Sequence, residues 1–360
     1  MIEEIINSHK VLVCAGSGGV GKTTLAAALG LKAAQIGKKV LVLTIDPSKR
    51  LGTSLGISRS GGGDVLVPDQ KVEGELYAAV LNSKLVFDNF VREAVQNQEL
   101  AEKFMKNRLY IQLSTKLSAS QEFTALERLY SSVDSKKYDL VILDTPPAKH
   151  AIDFLRSPQK INSMFQKSVT EWFIRTHNES KSFFSRFSAT QQILNVFRKI
   201  TGSNFIDELV EFFTGIEAWQ QKVQDRTIEV HKLLVSESTG FVMVSSFDEN
   251  KLREGVSFAK ELKKGGHHLS AVIINRAFPL GLRNEESQIA QKSGPENTDI
   301  VARLLQYYEK YLKFYEERLN VFEELKANLS EGTAFLQIPD FNQDVGNIRD
   351  LERLSNVAFK

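Results

Sequence analysis

The stretch Cys14–Thr24, CAGSGGVGKTT, constrains this chain more than any other. It fits the phosphate-loop (Walker A) pattern G-x-x-x-x-G-K-[ST] at Gly16, Gly21, Lys22 and Thr23. On one side stands an apolar strand candidate, Lys10–Ala15, and on the other a helix candidate, Thr23–Gly37, which is the context the motif requires. Glycines let backbone N–H groups turn inward around phosphate oxygens, a helix N-terminus adds its positive end, and Lys22 supplies a point charge at the β- and γ-phosphates. Thr23 is then placed to offer its hydroxyl to Mg²⁺. A ligand-free Gly-rich turn would have no need of Lys-Thr.

The 360 residues, 42% hydrophobic and 25% charged, hold enough apolar material for a sizeable core, as one large α/β domain or two smaller ones. A formal net charge of +2 gives no ground for a nucleic-acid partner. The single cysteine, Cys14, excludes an intramolecular disulfide framework and any multi-cysteine metal or arsenite site within one chain. The opening MIEEII is acidic and its apolar run is too short for a signal peptide. No stretch approaches the ~18 apolar residues of a membrane span, so the expected location is the cytoplasm, without stable membrane insertion.

Lys39–Asp46, KVLVLTID, is a nearly continuous aliphatic run of the kind that makes a strand buried on both faces, and Asp46-Pro47 stops it. Tyr138–Asp144, YDLVILD, repeats the arrangement. A carboxylate at the end of a strand beside a phosphate loop is where an α/β sheet places ligand chemistry, and Asp144 fits the Walker B residue that meets the Mg²⁺ shell. The loop Thr145–His150 follows as a switch loop, with His150 as a loop contact rather than a proton-transfer group.

Further strands are expected at Glu75–Leu81, Gly240–Ser246, Leu269–Asn275 and Ala334–Ile338, and helices over about 250–264, over 298–328 and after the loop Pro339–Gly346. Residues Leu85 to about Ser132 read as amphipathic helix, with Leu113, Leu117, Phe123, Leu126 and Leu129 buried. The 298–328 helix carries a stripe of Leu304, Tyr308, Tyr311, Tyr315, Leu319 and Phe322 that is expected to pack on the sheet; the other option is a partner subunit. The segment Arg156 to about Ser236 departs from this rhythm, with eleven aromatic residues from Phe165 to Trp219. These form the core of a helical subdomain or line an exposed groove for an apolar partner helix. The expected fold is α/β: one P-loop domain over 1–360, a mostly parallel twisted sheet flanked by helices, with a helical, aromatic-rich insertion over 156–236.

Five ordered segments, CAGSGGVGKTT, TIDPSKRLGTSLG, LDTPPAKHAIDFL, VIINRAFP and IPDFNQDVGNIRDLERL, resemble those of the ArsA-type ATPases. That family includes arsenite-efflux motors, the eukaryotic ATPase that targets tail-anchored membrane proteins, and bacterial anion-transporting-ATPase-like relatives. LSASQEFTALERLY, before the second acidic strand, is similar to the bacterial branch. The resemblance implies Mg-ATP as substrate and Ser17, Gly18, Gly19, Val20, Gly21, Lys22, Thr23 and Thr24 as the phosphate-side residues. It implies Thr23, Asp46 and Asp144 on the metal side, with Lys22 and Asp46 as catalytic residues; Asp46 would orient the attacking water. Asn275 would recognise adenine through its amide, under a loop that contains Pro339, Asp340 and Phe341.

Three departures limit what carries over. The family loop reads K-G-G-x-G-K, whose first lysine reaches a partner's phosphates across a dimer; here that position is Ser17. Such a chain is slow, uses another cation such as Lys49 or Arg50, or works with a lysine-bearing paralogue. The missing cysteine set disfavours an arsenite pump and removes the C-x-x-C zinc site of the targeting ATPase. Only four methionines are present, so a client groove would rest on phenylalanines. The expectation is a nucleotide-driven dimeric switch, with itself or a paralogue, that handles a hydrophobic client or a membrane-associated partner. A spatial-positioning ATPase and a metabolic ligase or kinase are the rival classes.

Overall fold

A computed structural model of the chain describes residues 1–45, 50–55, 57, 63–68, 71–95, 97–111, 121–146, 212, 221–277, 298–340 and 345–359. In chain order the elements are α1 (Ile2–Ser8), β1 (Val11–Gly16), α2 (Lys22–Gln35), β2 (Lys39–Thr44), α3 (Arg50–Leu55), β3 (Val65–Leu66) and β4 (Glu75–Val80). Next come α4 (Ser83–Ala94), α5 (Gln98–Lys106), α6 (Gln121–Asp134) and β5 (Leu140–Asp144), then a helix α7 over 221–235. The chain continues with β6 (Thr239–Ser246), α8 (Glu249–Lys264), β7 (His268–Ala277), α9 (Thr298–Ala327), β8 (Ala334–Pro339) and α10 (Ile348–Ala358). Two compact units result: one of Met1–Val80, Ser135–Ile152 and Val235–Lys360, the other of Leu81–Asp134 and Asp153–Leu234.

The first unit is an eight-stranded sheet in the order β3-β4-β2-β5-β1-β6-β7-β8. Every pairing is parallel except that of β3, two residues long, which runs antiparallel at the edge. The apolar runs read from the sequence lie in the middle of this sheet, and β1 and β5 are buried along their whole length because helices cover both faces. Leu12, Cys14, Val242 and Val244 turn to the face covered by α2 and α10, where the alanines of α2 let the helix lie close. Met243, one residue along, turns to the opposite face and meets α8 near Gly255. Phe322 of α9 packs there edge-on against Phe247 and Phe335, with ring centroids 5.6 and 5.4 Å apart.

The connection from β1 through α2 leads to one side of the sheet, and β6, α8 and β7 build the other side. Such a reversal of direction opens a crevice at the carboxyl ends of the central strands. Of the expected stripe on α9, Phe322 is buried, Leu319 half-buried and Leu304 50% exposed; the side chains of Tyr308, Tyr311 and Tyr315 lie outside the described residues. Among the described residues, no helix is long and apolar enough to cross a membrane.

The described residues of the second unit are mainly helical. Phe87, Phe90, Phe104, Tyr110, Phe123 and Val223 form its core, with Phe212 stacked on Phe104 at 5.9 Å. Two polar groups are built into it. Tyr110 donates to Asp88 at 2.8 Å, and Lys84 pairs with the other oxygen of that carboxylate at 2.6 Å. Glu127 and Arg226, 4% and 8% exposed, face each other at 3.4 Å, with Arg226 also 4.1 Å above the Tyr130 ring. Burial pushes the Glu127 carboxyl up to about 7, against the opposing pull of Arg226. The expected helical stretch 85–132 holds α4, α5, a helical segment at 108–111 and α6 among the described residues, with Phe123, Leu126 and Leu129 buried; Leu113 and Leu117 lie outside the described residues. The other aromatic residues expected in the 156–236 segment also lie outside them.

Candidate functional site

Strand β1 delivers the phosphate loop to the crevice. At Gly16 the chain passes so close to β6 that a Cβ would drive into the Val244 carbonyl, so the strand can leave the sheet there only as glycine. At Gly21, with φ +91°, the backbone adopts the left-handed region, and a Cβ would stand 2.6 Å from Asn275 Nδ2. Between them the loop exposes Gly18 and Gly19 to solvent and buries Ser17 and Val20. Lys22 opens α2 and arches back so that Nζ donates to the Ser17 carbonyl at 2.7 Å. Its charge is thereby held over the loop rather than extended into water.

Beneath the loop, β5 ends on Asp144, which lies in register with Cys14 of β1 and Thr44 of β2. Asp144 Oδ2 accepts from Thr23 Oγ1 at 2.7 Å and from Thr44 Oγ1 at 2.8 Å. The carboxylate is 1% exposed, so its charge depends on these donors and on whatever else the site brings. Thr145 fixes the strand end by donating its backbone N–H and its hydroxyl to the Cys14 carbonyl, at 3.1 and 2.9 Å. Burial, with the Asp144 charge beside it, pushes the Cys14 thiol well above its ordinary range, which leaves it neutral and inert.

A hydroxyl and a carboxylate 2.7 Å apart, next to a loop that gathers N–H donors and an ammonium, are hard-oxygen and anion-binding groups. They fit a small divalent cation shared with a polyphosphate: Thr23 and Asp144 would hold Mg²⁺, and the loop with Lys22 would hold the phosphates. Among the described residues, no group of three or more His, Cys, Asp or Glu could hold a metal ion without such help.

The structure also brings Asn275 to the loop, from the end of β7. Its Nδ2 donates to the Val20 carbonyl at 2.9 Å and its Oδ1 accepts from Arg276 N–H at 3.1 Å. Arg276 takes φ +52°, at the point where the pairing of β7 with β8 shifts register, and its guanidinium reaches Asp340 at 3.5 Å. Pro339 closes β8 in register with Ala277. Asp46, Lys49, His150 and Phe341 lie outside the described residues.

Two participants were not legible beforehand. Thr44 had a faint signal, a lone hydroxyl in an aliphatic run. Glu254, whose Oε2 accepts from Ser17 Oγ at 2.5 Å, lies 237 residues away and had none.

Known proteins similar to this chain include several ATPases. The chain is 24% identical to the putative arsenical pump-driving ATPase 1 of Aquifex aeolicus over 358 residues, 97% of this chain and 78% of that protein. It is 26% identical to the ATPase GET3B of Arabidopsis thaliana over 290 residues, 75% of this chain and 65% of that one. It is 24% identical to the ATPase GET3 of Malassezia globosa, covering 78% of this chain and 77% of that protein. Residues 9–326 match the model of the anion-transporting ATPase family, and with its phosphate loop and strand-end carboxylate in place this chain belongs to that family and is an ATPase.

Proposed function

We propose that this ATPase is a nucleotide-driven dimeric switch, which closes on a second copy or a paralogue and so handles a hydrophobic protein client or a membrane-associated partner. Water attacks the γ-phosphorus in line: the new O–P bond forms as the bond to the β-γ bridging oxygen breaks, and ADP and phosphate leave. The loop amides and Lys22 stabilise the charge that spreads over the γ-phosphoryl oxygens. Thr23 and Asp144 would hold Mg²⁺, which would supply positive charge to the phosphates. Asp46 orients the water, and Asn275 presents its amide to adenine beside Pro339–Phe341.

The observation that carries this reading is the pair of hydroxyls, Thr23 and Thr44, on one oxygen of a buried Asp144 at the foot of the phosphate loop. Phosphate release tests it. Lys22→Ala, Asp46→Asn and Asp144→Asn should each reduce turnover by about a hundredfold or more, the scale seen when a transition-state charge loses its partner. Turnover unchanged in Lys22→Ala and Asp46→Asn would refute the mechanism. Light scattering with and without Mg-ATP tests the dimer, since a mass that never doubles and never adds a paralogue refutes the switch. A slower switch that borrows its cation from a lysine-bearing paralogue is the second reading, favoured by the Ser17 hydroxyl being engaged with a carboxylate.

A further inference from the structure

Ser17 links two groups that the chain brings together from far apart. Its hydroxyl donates to Glu254 Oε2 at 2.5 Å, and its carbonyl accepts from Lys22 Nζ at 2.7 Å. A single residue, 3% exposed, thus stands between the phosphate-loop lysine and the second turn of α8. That turn is firmly mounted. Asp248 caps the helix by accepting from Lys251 N–H at 3.3 Å, and Leu252 and Val256 are buried on either side of Glu254 in sequence. Lys251 Nζ lies 4.0 Å from the same Oε2, so a cation faces the carboxylate from the solvent side.

We propose that Glu254 is a positioning residue for nucleotide binding. Through the Ser17 hydroxyl it fixes the first peptide of the phosphate loop, and with it the direction from which Lys22 and the following amides meet an anion. This rests on the nucleotide site proposed above. A lysine ammonium rides on a flexible stem, so where it points depends on the oxygen that holds it. Here one such oxygen belongs to the Ser17 peptide, whose rotation would break that bond to Lys22 and turn the next N–H away from the phosphates. A hydrogen bond to an ionised acceptor is roughly twice as strong as one between neutral groups, so Glu254 restrains that rotation better than water could. A carboxylate beside an anion-binding loop also repels the ligand, and Lys251 offsets that charge.

The bond could instead only dock α8 on the sheet, and the test separates the two roles. The readouts are the affinity for a fluorescent Mg-ATP analogue, amide hydrogen exchange at residues 17–22 without nucleotide, and the melting temperature. Ser17→Ala and Glu254→Ala should each weaken binding by about tenfold, the lower end for a hydrogen bond to a charged group. The double variant should be no weaker than either single one, because both remove the same bond. Glu254→Gln keeps an acceptor oxygen and should recover binding to within about threefold, a neutral bond in place of a charged one. Exchange at 17–22 should quicken in both alanine variants, and melting should fall by no more than the ~2–8 °C that the loss of one hydrogen bond to a charged group costs a unit of this size. Losses that add in the double variant, equal binding by Glu254→Ala and wild type, or a change confined to melting would each overturn the inference alone. A wild type that binds no nucleotide would overturn the nucleotide site itself.

Discussion

Replacing Thr44 with valine removes one hydrogen bond beneath the phosphate loop and little else. Thr44 is fully buried, and its Oγ1 donates to Asp144 Oδ2 at 2.8 Å. Valine keeps the branched shape, so no cavity opens. A hydrogen bond to a charged group contributes about 1.5–3 kcal/mol, because the carboxylate stays buried when its donor is gone. The added methyl returns at most about 0.8 kcal/mol of apolar burial. The net loss is then about 1–2 kcal/mol, which for a unit of this size lowers the melting temperature by about 2–8 °C. Mg-nucleotide should narrow that difference, since a divalent cation on Asp144 makes a neutral donor less important to the same charge. Differential scanning fluorimetry of wild type and Thr44→Val, with and without Mg²⁺ and a non-hydrolysable ATP analogue, reads both numbers. If the two proteins melt together without ligand, Thr44 does not support the carboxylate. If the difference stays the same or widens with Mg-nucleotide, Asp144 is not the metal-side residue.

Other substitutions probe the neighbouring parts. Gly21→Ala places a Cβ 2.6 Å from Asn275 Nδ2 at φ +91°. It should cost about 1–3 kcal/mol in backbone strain and more than tenfold in nucleotide affinity by titration. In the helical unit, Glu127 keeps its proton to about pH 7 when folded but to about pH 4.5 when unfolded. The folded state therefore binds more protons across that window, and stability falls as pH rises from about 4.5 to 7 and is level above it. Glu127→Gln should flatten that slope in melts between pH 4.5 and 8, and an unchanged slope would refute the assignment. Arg226→Ala should destabilise the unit by about 3–5 kcal/mol at pH 8, where it strands a buried charge, and by less at pH 5.5. Tyr110→Phe removes the 2.8 Å bond to Asp88 and should cost about 1–3 kcal/mol in a chemical melt.

The sequence was most informative where one local pattern decides the outcome. The runs at Lys39–Thr44 and Leu140–Asp144 are apolar between their ends because both sheet faces are covered, and their strands fall within two residues of the expected limits. The phosphate loop was legible for the same reason, since glycines, lysine and threonine all act within nine residues of chain. Strand β3 was missed because two residues carry no alternation to read. The stripe on α9 was expected to pack on the sheet, yet Leu304 at its N-terminal end is 50% exposed while Phe322 is buried, and periodicity cannot say where along a helix the covering surface stops. Partners across long separations were invisible in principle. Asp144 could be assigned by its strand end, but that Thr44 would turn its hydroxyl onto it depends on β2 and β5 being neighbours, a property of sheet order.

That sheet order explains how the loop is held. Because β1 lies between β5 and β6, one flank of the loop faces the acidic end of β5, where Thr23 meets Asp144. The other flank faces elements that follow β6, and there Val20 is held by Asn275 and Ser17 by Glu254. A phosphate that enters between them must draw Thr23 toward a cation on one side while Lys22 stays anchored to Ser17 on the other. The two flanks also belong to segments far apart in the chain, residues 140–145 and 246–276. A change in the loop is therefore felt at both, without the side chains of the loop having to move far. Nucleotide should then be sensed both at α8 and at the residues that end β5. If so, Glu254→Ala should impair the response at one flank and Asp144→Asn the response at the other, measurable as amide exchange at residues 249–256 and at 141–146 on addition of Mg-nucleotide. An equal loss at both flanks in either variant would mean that the loop moves as one rigid piece.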